Sequence, residues 1–208
     1  NSSASTNVKW LPSGEIIFPT AAIVVIFDHR TNAQRFFLGH DNEVMGISVC
    51  PGSSVVASSE ASARDMNGKI CIYDAAADDP VRGDSVTLLH VLAFPPAKGA
   101  ALLDFSPDGE LLVAFGQDDA HTVVLYDWKA EAVVAEVRTQ NLDVYSAMFH
   151  PFQWRPATDF SAPMYTLVSC GSRHMRFWTS SQLQESEVSH VVLLCSPACR
   201  RSILIHPW

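Results

Sequence analysis

The sequence has no long hydrophobic run and no excess of basic residues. Its longest apolar stretches are residues 21–27, 111–115 and 191–195, well short of the roughly 20 residues that a membrane-spanning helix needs. Lys and Arg number 14 against 22 Asp and Glu, a formal net charge of −8. Because proteins that hold phosphates or anionic lipids by non-specific charge are basic, we expect neither nucleic acid nor membrane as a partner. The first ten residues show no basic segment leading into an apolar one, so we expect no secretory signal.

Short catalytic motifs are also missing. The chain contains no Gly-x-Ser-x-Gly nucleophile elbow, no glycine-rich phosphate loop and no His-Glu-x-x-His zinc motif. The eight histidines are scattered along the sequence. We therefore predict a protein that is not an enzyme, with no cofactor and no metal.

Cysteines are few and irregularly spaced. Three of the five lie in predicted strands and are interpreted as buried, reduced thiols. Near the end of the chain, His190, Cys195, Cys199 and His206 offer the ligand types of a two-Cys, two-His zinc site. Their intervals of four, three and six intervening residues differ from those of zinc fingers, and incidental thiols are the preferred interpretation.

A pattern of apolar runs and turns recurs three times in the chain. Each copy has an apolar run, a turn anchored on proline, a second apolar run, a polar turn, and a third run that closes on an aromatic residue. The anchoring prolines are Pro51, Pro107 and Pro151, and the closing aromatics are Tyr73, Tyr126 and Trp178. The aromatics lie 53 and then 52 residues apart. Short apolar runs bounded by Pro, Gly and Asp indicate strands, and four strands per repeat at this spacing are typical of β-propeller blades.

The recurrence predicts an all-β fold, a partial β-propeller of about three blades plus part of a preceding one. Residues 1–39 form a hydrophobic motif and partial blade, 40–99, 100–142 and 143–179 form one blade each, and 180–208 form a divergent tail with a candidate outer strand. The competing interpretation is a β-sandwich whose hairpins resemble one another by chance. Both the prolines and the aromatics recur in the same order, which favours the propeller.

Several of these stretches resemble the WD repeat. Gly39-His40 matches the pair that opens such a repeat, and its Trp-Asp position is occupied by Tyr73-Asp74, Tyr126-Asp127-Trp128 and Trp178. The stretch GEIIFPTAAIVVIFDHRTNAQRFFLGHDNEVMGISVCP, followed by HTVVLYDW, FHP and CGSRHMRFW, resembles the echinoderm microtubule-associated protein-like family. The resemblance covers about residues 14–179.

The resemblance implies a WD-repeat scaffold that binds tubulin or microtubules in the cytoplasm, on the cytoskeleton or in an axoneme, with the remaining blades in a longer chain. It also implies a hydrogen-bonded set of a His, an Asp, a hydroxyl and a Trp in each blade. In the first copy Tyr73 replaces the Trp, and Ser58 or Ser59 can supply the hydroxyl. The alternatives are a general WD-repeat scaffold for other proteins, without tubulin contact, and an enzyme that uses a central cavity.

Two regions are candidates for contact with a partner. Loops expected on one rim could offer positive charge to the acidic surface of tubulin, through Arg64, Lys69, Arg173 and His174. An insertion at residues 152–165 carries Trp154 and Phe160, and protein interfaces concentrate such aromatics. The alternative is that these aromatics fold back onto their own blade.

Overall fold

The described part of the chain is all β. The computed structural model describes residues 7–62, 68–76, 86–94, 98–138, 144–152, 165–171, 175–179 and 191–192. Its strands are β1 (Lys9–Trp10), β2 (Ile16–Thr20), β3 (Ile23–Asp28), β4 (Ala33–Phe37), β5 (Val44–Val49), β6 (Val55–Glu60), β7 (Gly68–Asp74), β8 (Thr87–Phe94), β9 (Ala100–Phe105), β10 (Leu111–Gly116), β11 (Thr122–Asp127), β12 (Ala132–Arg138), β13 (Val144–Phe149), β14 (Thr166–Gly171), β15 (Met175–Thr179) and β16 (Val191–Val192). Within these ranges there is no helix, so none that could cross a membrane.

The strands form four separate sheets of four strands each. The sheets are β1–β4, β5–β8, β9–β12 and β13–β16, each a meander in which consecutive strands pair, and we call them blades 1 to 4. Each pairing is antiparallel. The predicted all-β, partial-propeller fold is confirmed.

Blade 1 is more complete than the sequence pattern indicates. The sequence pattern predicts only a partial blade in residues 1–39. The structure adds the strand β1 to this blade through the pairs Lys9↔Ile17 and Trp10↔Ile16. A strand of two residues is too short to show an alternating pattern. At the other end, β16 pairs with β15, and the rest of residues 180–208 lies outside the described part.

The turn between β9 and β10 shows why Ser-Pro-Asp-Gly suits a hairpin. Gly109 has a φ of 71°, in the left-handed region that glycine adopts without steric cost. Its N–H donates to the Ser106 carbonyl over 2.8 Å, and Ser106 Oγ accepts from the Leu111 N–H over 2.9 Å. A Cβ on Gly109 would lie only 2.6 Å from Cys50 Sγ. The turn and the packing of blade 2 against blade 3 therefore both require glycine here.

Alternation along each strand gives every blade two faces, and blades 2 and 3 are packed on both of them. We call the face toward the preceding blade the leading face and the other the trailing face. On β7, Cys71 and Tyr73 pack in the cluster between blades 1 and 2, whereas Ile70 and Ile72 pack in the cluster between blades 2 and 3. A third cluster joins blades 3 and 4. Strands buried on both sides explain the near-continuous apolar runs in the sequence.

The closing aromatics of the repeats lie on leading faces. Tyr73, Tyr126 and Trp178 are 0%, 2% and 3% exposed, and each belongs to the cluster that its blade shares with the preceding one. Large rings bury more area than any aliphatic side chain. Their recurrence at the end of the third strand therefore supplies much of the contact between successive blades.

Candidate functional site

The loops after β4, β6, β8 and β10 meet on one edge of the blades, which we call the loop rim. Its described residues are 38–43, 60–62, 98–99 and 117–121, together with Lys69 at the start of β7. In blade 2 the Ala61 N–H donates to the Glu43 carbonyl over 2.8 Å, and in blade 3 the Gln117 N–H donates to the Gly99 carbonyl over 3.1 Å. Each of these blades thus holds its own pair of rim loops together.

A buried polar cluster underlies the rim of blade 2. His40 Nε2 lies 2.7 Å from Ser58 Oγ, and His40 Nδ1 lies 3.1 Å from Glu60 Oε2. Burial lowers the pKa of His40, although the Glu60 carboxylate opposes that shift. A neutral ring then donates from Nδ1 to Glu60 and accepts the Ser58 hydroxyl proton at Nε2. Glu60 also accepts the Asp41 N–H over 3.0 Å, so the cluster holds the loop that follows β4.

The glycine of Gly39-His40 is needed for packing. A Cβ on Gly39 would collide with the Phe37 ring. Phe37 in turn stacks on Tyr73 with ring centroids 4.0 Å apart and meets the His40 ring edge-on at 5.5 Å. Gly39, His40 and Tyr73, which the sequence links only by resemblance, therefore belong to one packed unit.

The structure separates the roles of the two adjacent serines. Ser58 bonds to His40, whereas Ser59 donates to the Ala100 carbonyl of blade 3 over 2.8 Å. The Tyr73 hydroxyl is buried and, among the described residues, makes no hydrogen bond. Ser58 lies near this hydroxyl and opposes the rise in the pKa of Tyr73 that burial causes.

Two of the Asp positions of the repeats close turns. Asp74 accepts from Ser54 Oγ over 2.6 Å and from the Ala76 N–H over 2.9 Å. Asp127 accepts the Ala130 N–H over 3.0 Å. These contacts stabilise the turn after the third strand, as short acidic side chains commonly do. Trp128, the residue after Asp127, donates from Nε1 to the Gly109 carbonyl over 2.8 Å.

The two described lysines of the rim form ion pairs. Lys69 Nζ lies 2.7 Å from Asp41 Oδ2 and 3.6 Å from Glu60 Oε2, while Lys98 pairs with Asp119. Partial burial works against the charge of Lys69, but Asp41 and Glu60 outweigh it and raise the lysine pKa. Lys69 therefore neutralises its own carboxylates and is not a free cation. The candidates Arg64, Arg173 and His174 lie outside the described residues.

The aromatic insertion is described only at its two ends. Phe152 is 75% exposed, whereas the Tyr165 hydroxyl donates to Asp108 Oδ2 over 2.7 Å and the Tyr165 ring meets Phe149 edge-on. One end of the insertion thus packs against the turn of blade 3 on the edge opposite the loop rim. The candidates Trp154 and Phe160 fall outside the described residues.

The inner strands of the blades line a cavity of about 210 Å³. Its lining includes Lys9, Ile47, Asp104 and Met148, one residue each from β1, β5, β9 and β13. Asp104 accepts the Phe149 N–H over 2.7 Å, and burial raises the pKa of Asp104. This carboxylate therefore joins blade 3 to blade 4.

Among the described residues, neither reactive thiols nor metal ligands cluster. Burial raises the pKa of the Cys71 thiol to about 12, so this residue stays protonated beside His40. Within the described ranges, no three His, Cys, Asp or Glu side chains are placed to hold a metal ion. The candidate zinc ligands of the tail lie outside those ranges.

A family model described as WD domain, G-beta repeat matches residues 32–74. The match runs from β4 of blade 1 through the third strand of blade 2, and it contains the whole His40 cluster. A WD repeat in this chain therefore spans two blades, and its Gly-His pair lies in the loop that connects them.

Curated proteins also align with most of the chain. Echinoderm microtubule-associated protein-like 4 of Mus musculus is 32% identical over 84% of this chain, protein-like 2 of Homo sapiens is 30% identical over 83%, and protein-like 1 of Rattus norvegicus is 31% identical over 83%. The alignments cover 17%, 25% and 20% of those proteins. The chain thus spans a quarter or less of the length of these curated relatives.

Proposed function

We propose that this chain is a non-enzymatic scaffold that attaches to microtubules or tubulin on the cytoskeleton in the cytoplasm. The basis is that it is a WD-repeat protein related to the echinoderm microtubule-associated protein-like proteins. The observation that carries the proposal is the similarity to microtubule-associated proteins over 84% of the chain.

The His40 cluster suits a scaffold because its polar groups bond to one another. His40 and Glu60 are 6% and 5% exposed, and their described hydrogen bonds go to Ser58 and to the loop after β4. Buried and satisfied polar groups make a structure more rigid. Such a loop presents a surface of constant shape, and a constant shape lowers the entropy lost when a partner binds.

Charge decides which part of the rim can meet an acidic partner. Asp41, Glu43 and Asp119 are exposed on the described rim, and its two described lysines are paired with carboxylates. Attraction to the acidic surface of tubulin must then come from Arg64 and Arg173, which follow β6 and β14 in sequence. We propose these two arginines, with His174 beside them, as the microtubule-facing positions.

A second candidate function is supported by the excess of acidic residues on the described rim. The described rim residues carry five carboxylates against two lysines, and Glu43 is exposed. This excess of negative charge suits a protein partner with a basic segment, since complementary charge speeds and orients association. The chain would then be a general WD-repeat scaffold without tubulin contact.

Co-sedimentation with polymerised microtubules tests the proposal. The purified chain should pellet with microtubules in a saturable manner and stay in the supernatant without them. Isothermal calorimetry with a poly-lysine peptide tests the second candidate in parallel. A chain with a β-rich circular dichroism spectrum that never pellets with microtubules but binds the peptide would overturn the microtubule proposal and favour the general scaffold.

A further inference from the structure

Two glycines from neighbouring blades meet at the base of the loop between β6 and β7. Gly68 begins β7 of blade 2, and Gly99 directly precedes β9 of blade 3. A Cβ on Gly68 would lie 2.9 Å from the Gly99 Cα, closer than a side-chain carbon comes to a backbone atom. The two backbones can approach this closely because neither residue has a side chain.

The start of the same loop also lies against Gly99. A Cβ on Gly99 would collide with the Glu60 carbonyl oxygen and would lie 3.2 Å from the Ser62 backbone nitrogen. Gly99 also has a φ of 79°, in the left-handed region that is costly for other residues. Residues on both sides of positions 63–67 therefore pack on one glycine of the next blade.

Backbone hydrogen bonds extend this contact along the loop rim. The Ala61 N–H donates to the Glu43 carbonyl over 2.8 Å, and the Gln117 N–H donates to the Gly99 carbonyl over 3.1 Å. The loop after β4, the loop after β6, Gly99 and the loop after β10 thus form one connected series. The rim loops of blades 2 and 3 consequently depend on one another for their placement.

We propose that Gly99 is a positioning residue for partner binding at the loop rim, because it sets the placement of the loop between β6 and β7. The inference rests on the proposed function, which assigns a contact with microtubules to Arg64 in this loop. Binding groups must be held within about 0.5 Å of their productive positions. A side chain at position 99 would displace the Glu60 and Gly68 backbones, since both contacts are with backbone atoms that cannot swing aside.

Co-sedimentation with increasing concentrations of microtubules compares Gly99→Ala with the matched control Gly52→Ala. Gly52 has a similar φ of 68°, but a Cβ there would meet no atom within 4 Å. The two variants therefore share the backbone strain and differ in the contact with the loop. Gly99→Ala should raise the dissociation constant for microtubules by at least about tenfold, whereas Gly52→Ala should leave it unchanged.

Two further measurements separate misplacement of the loop from loss of folded protein. Urea unfolding gives the folded fraction of each variant, and a fraction above about 0.9 raises the apparent dissociation constant by only about a tenth. Amide hydrogen exchange at Ala61 and Gln117 should become faster in Gly99→Ala and stay unchanged in Gly52→Ala. If Gly99→Ala does not fold, Gly68→Ala replaces it, because Gly68 has no left-handed φ and its Cβ would meet Gly99 directly.

The outcomes separate this inference from the proposed function. A folded Gly99→Ala variant that binds microtubules as tightly as the unmodified chain would overturn the role of Gly99 and leave microtubule binding standing. An equal loss of affinity in Gly52→Ala, or unchanged exchange at Ala61 and Gln117, would overturn that role as well. An unmodified chain that does not bind microtubules would overturn the proposed function and, with it, the role of Gly99.

Discussion

Trp178 donates a hydrogen bond from Nε1 to Ser169 Oγ over 3.0 Å. Blade 2 has Tyr73 and Ser58 at the equivalent positions, as the pairs Leu167↔Trp178 and Val56↔Tyr73 show. There the serine bonds to His40 instead, and the tyrosine hydroxyl makes no hydrogen bond to a described residue. In blade 3 the Tyr126 hydroxyl donates to the Ala93 carbonyl of blade 2 over 2.9 Å. The hydrogen bonding of the aromatic residue at this position thus differs in each of the three blades.

Removing the two tyrosine hydroxyls should have opposite effects on stability. Tyr73→Phe deletes a buried hydroxyl that makes no hydrogen bond to a described residue, so the free energy of unfolding should stay unchanged or rise by up to about 1 kcal/mol. Tyr126→Phe breaks the bond to the Ala93 carbonyl and should lower that free energy by about 1 kcal/mol. Urea unfolding of both variants measures the difference, and a larger loss from Tyr73→Phe would contradict the assigned contacts.

Emptying the Tyr126 site should destabilise the contact between blades 2 and 3. The ring is 2% exposed in that cluster, and Tyr126→Ala should cost about 3–5 kcal/mol, the range for large aromatic residues in cores. Val133→Ala, on the neighbouring strand but half exposed, should change stability by less than about 0.5 kcal/mol. A loss below about 1 kcal/mol for Tyr126→Ala in the same urea experiment would place the ring outside the core.

The buried imidazole of His40 should make stability depend on pH. Its pKa is below the ordinary value of 6.5 because of burial, so the unfolded chain binds the proton more readily than the folded one. The contribution of neutral His40 is therefore fully present above about pH 6.5 and is lost as the pH falls toward the folded pKa, with a slope of at most about 1.4 kcal/mol per pH unit. His40→Gln should flatten the stability curve between about pH 7 and pH 5.

His29→Gln is the control for that pH experiment, because His29 is exposed. This variant should keep the pH dependence of the unmodified chain. Thermal unfolding in a series of buffers gives both curves. If His40→Gln leaves the slope unchanged, the imidazole is not held neutral by burial.

The two rim lysines should differ in their contribution to stability. Lys69 is 24% exposed and faces Glu60, which is 7% exposed at its side chain, whereas Lys98 and Asp119 are 57% and 93% exposed. Lys69→Met leaves a buried carboxylate without its cation and should cost about 1–3 kcal/mol. Lys98→Met should cost less than about 1 kcal/mol, as exposed pairs do. Equal losses in chemical unfolding would show that Glu60 does not depend on Lys69.

The fold could be predicted because its signal repeats along the chain. Proline turns and the closing aromatics Tyr73, Tyr126 and Trp178 recur at near-constant spacing, and doubly buried strands require apolar runs. The strand β1 could not be predicted, since two residues form no pattern. Nor could the sequence decide between Ser58 and Ser59. Adjacent strand residues point to opposite faces, and only the packing of the blades shows that Ser58 reaches His40 while Ser59 reaches blade 3.

The charges of the rim were the least predictable feature. Lys69 was expected to face a partner, but Asp41, 28 residues earlier, and Glu60 surround it. Such contacts depend on how loops from two strands meet, and no local sequence pattern predicts them. The positions proposed to face a microtubule are consequently Arg64 and Arg173 rather than Lys69.

Salt-dependent co-sedimentation with microtubules tests most directly whether this WD-repeat chain attaches to microtubules through its loop rim. Because exposed charge pairs are screened over about 8 Å at physiological ionic strength and about 3 Å at 1 M, the bound fraction should fall steeply as salt rises. Reversing Arg64 and Arg173 to glutamate should weaken binding much more than Arg155→Glu in the aromatic insertion. Binding that is indifferent to salt, or an equal loss from both changes, would contradict attachment through the rim.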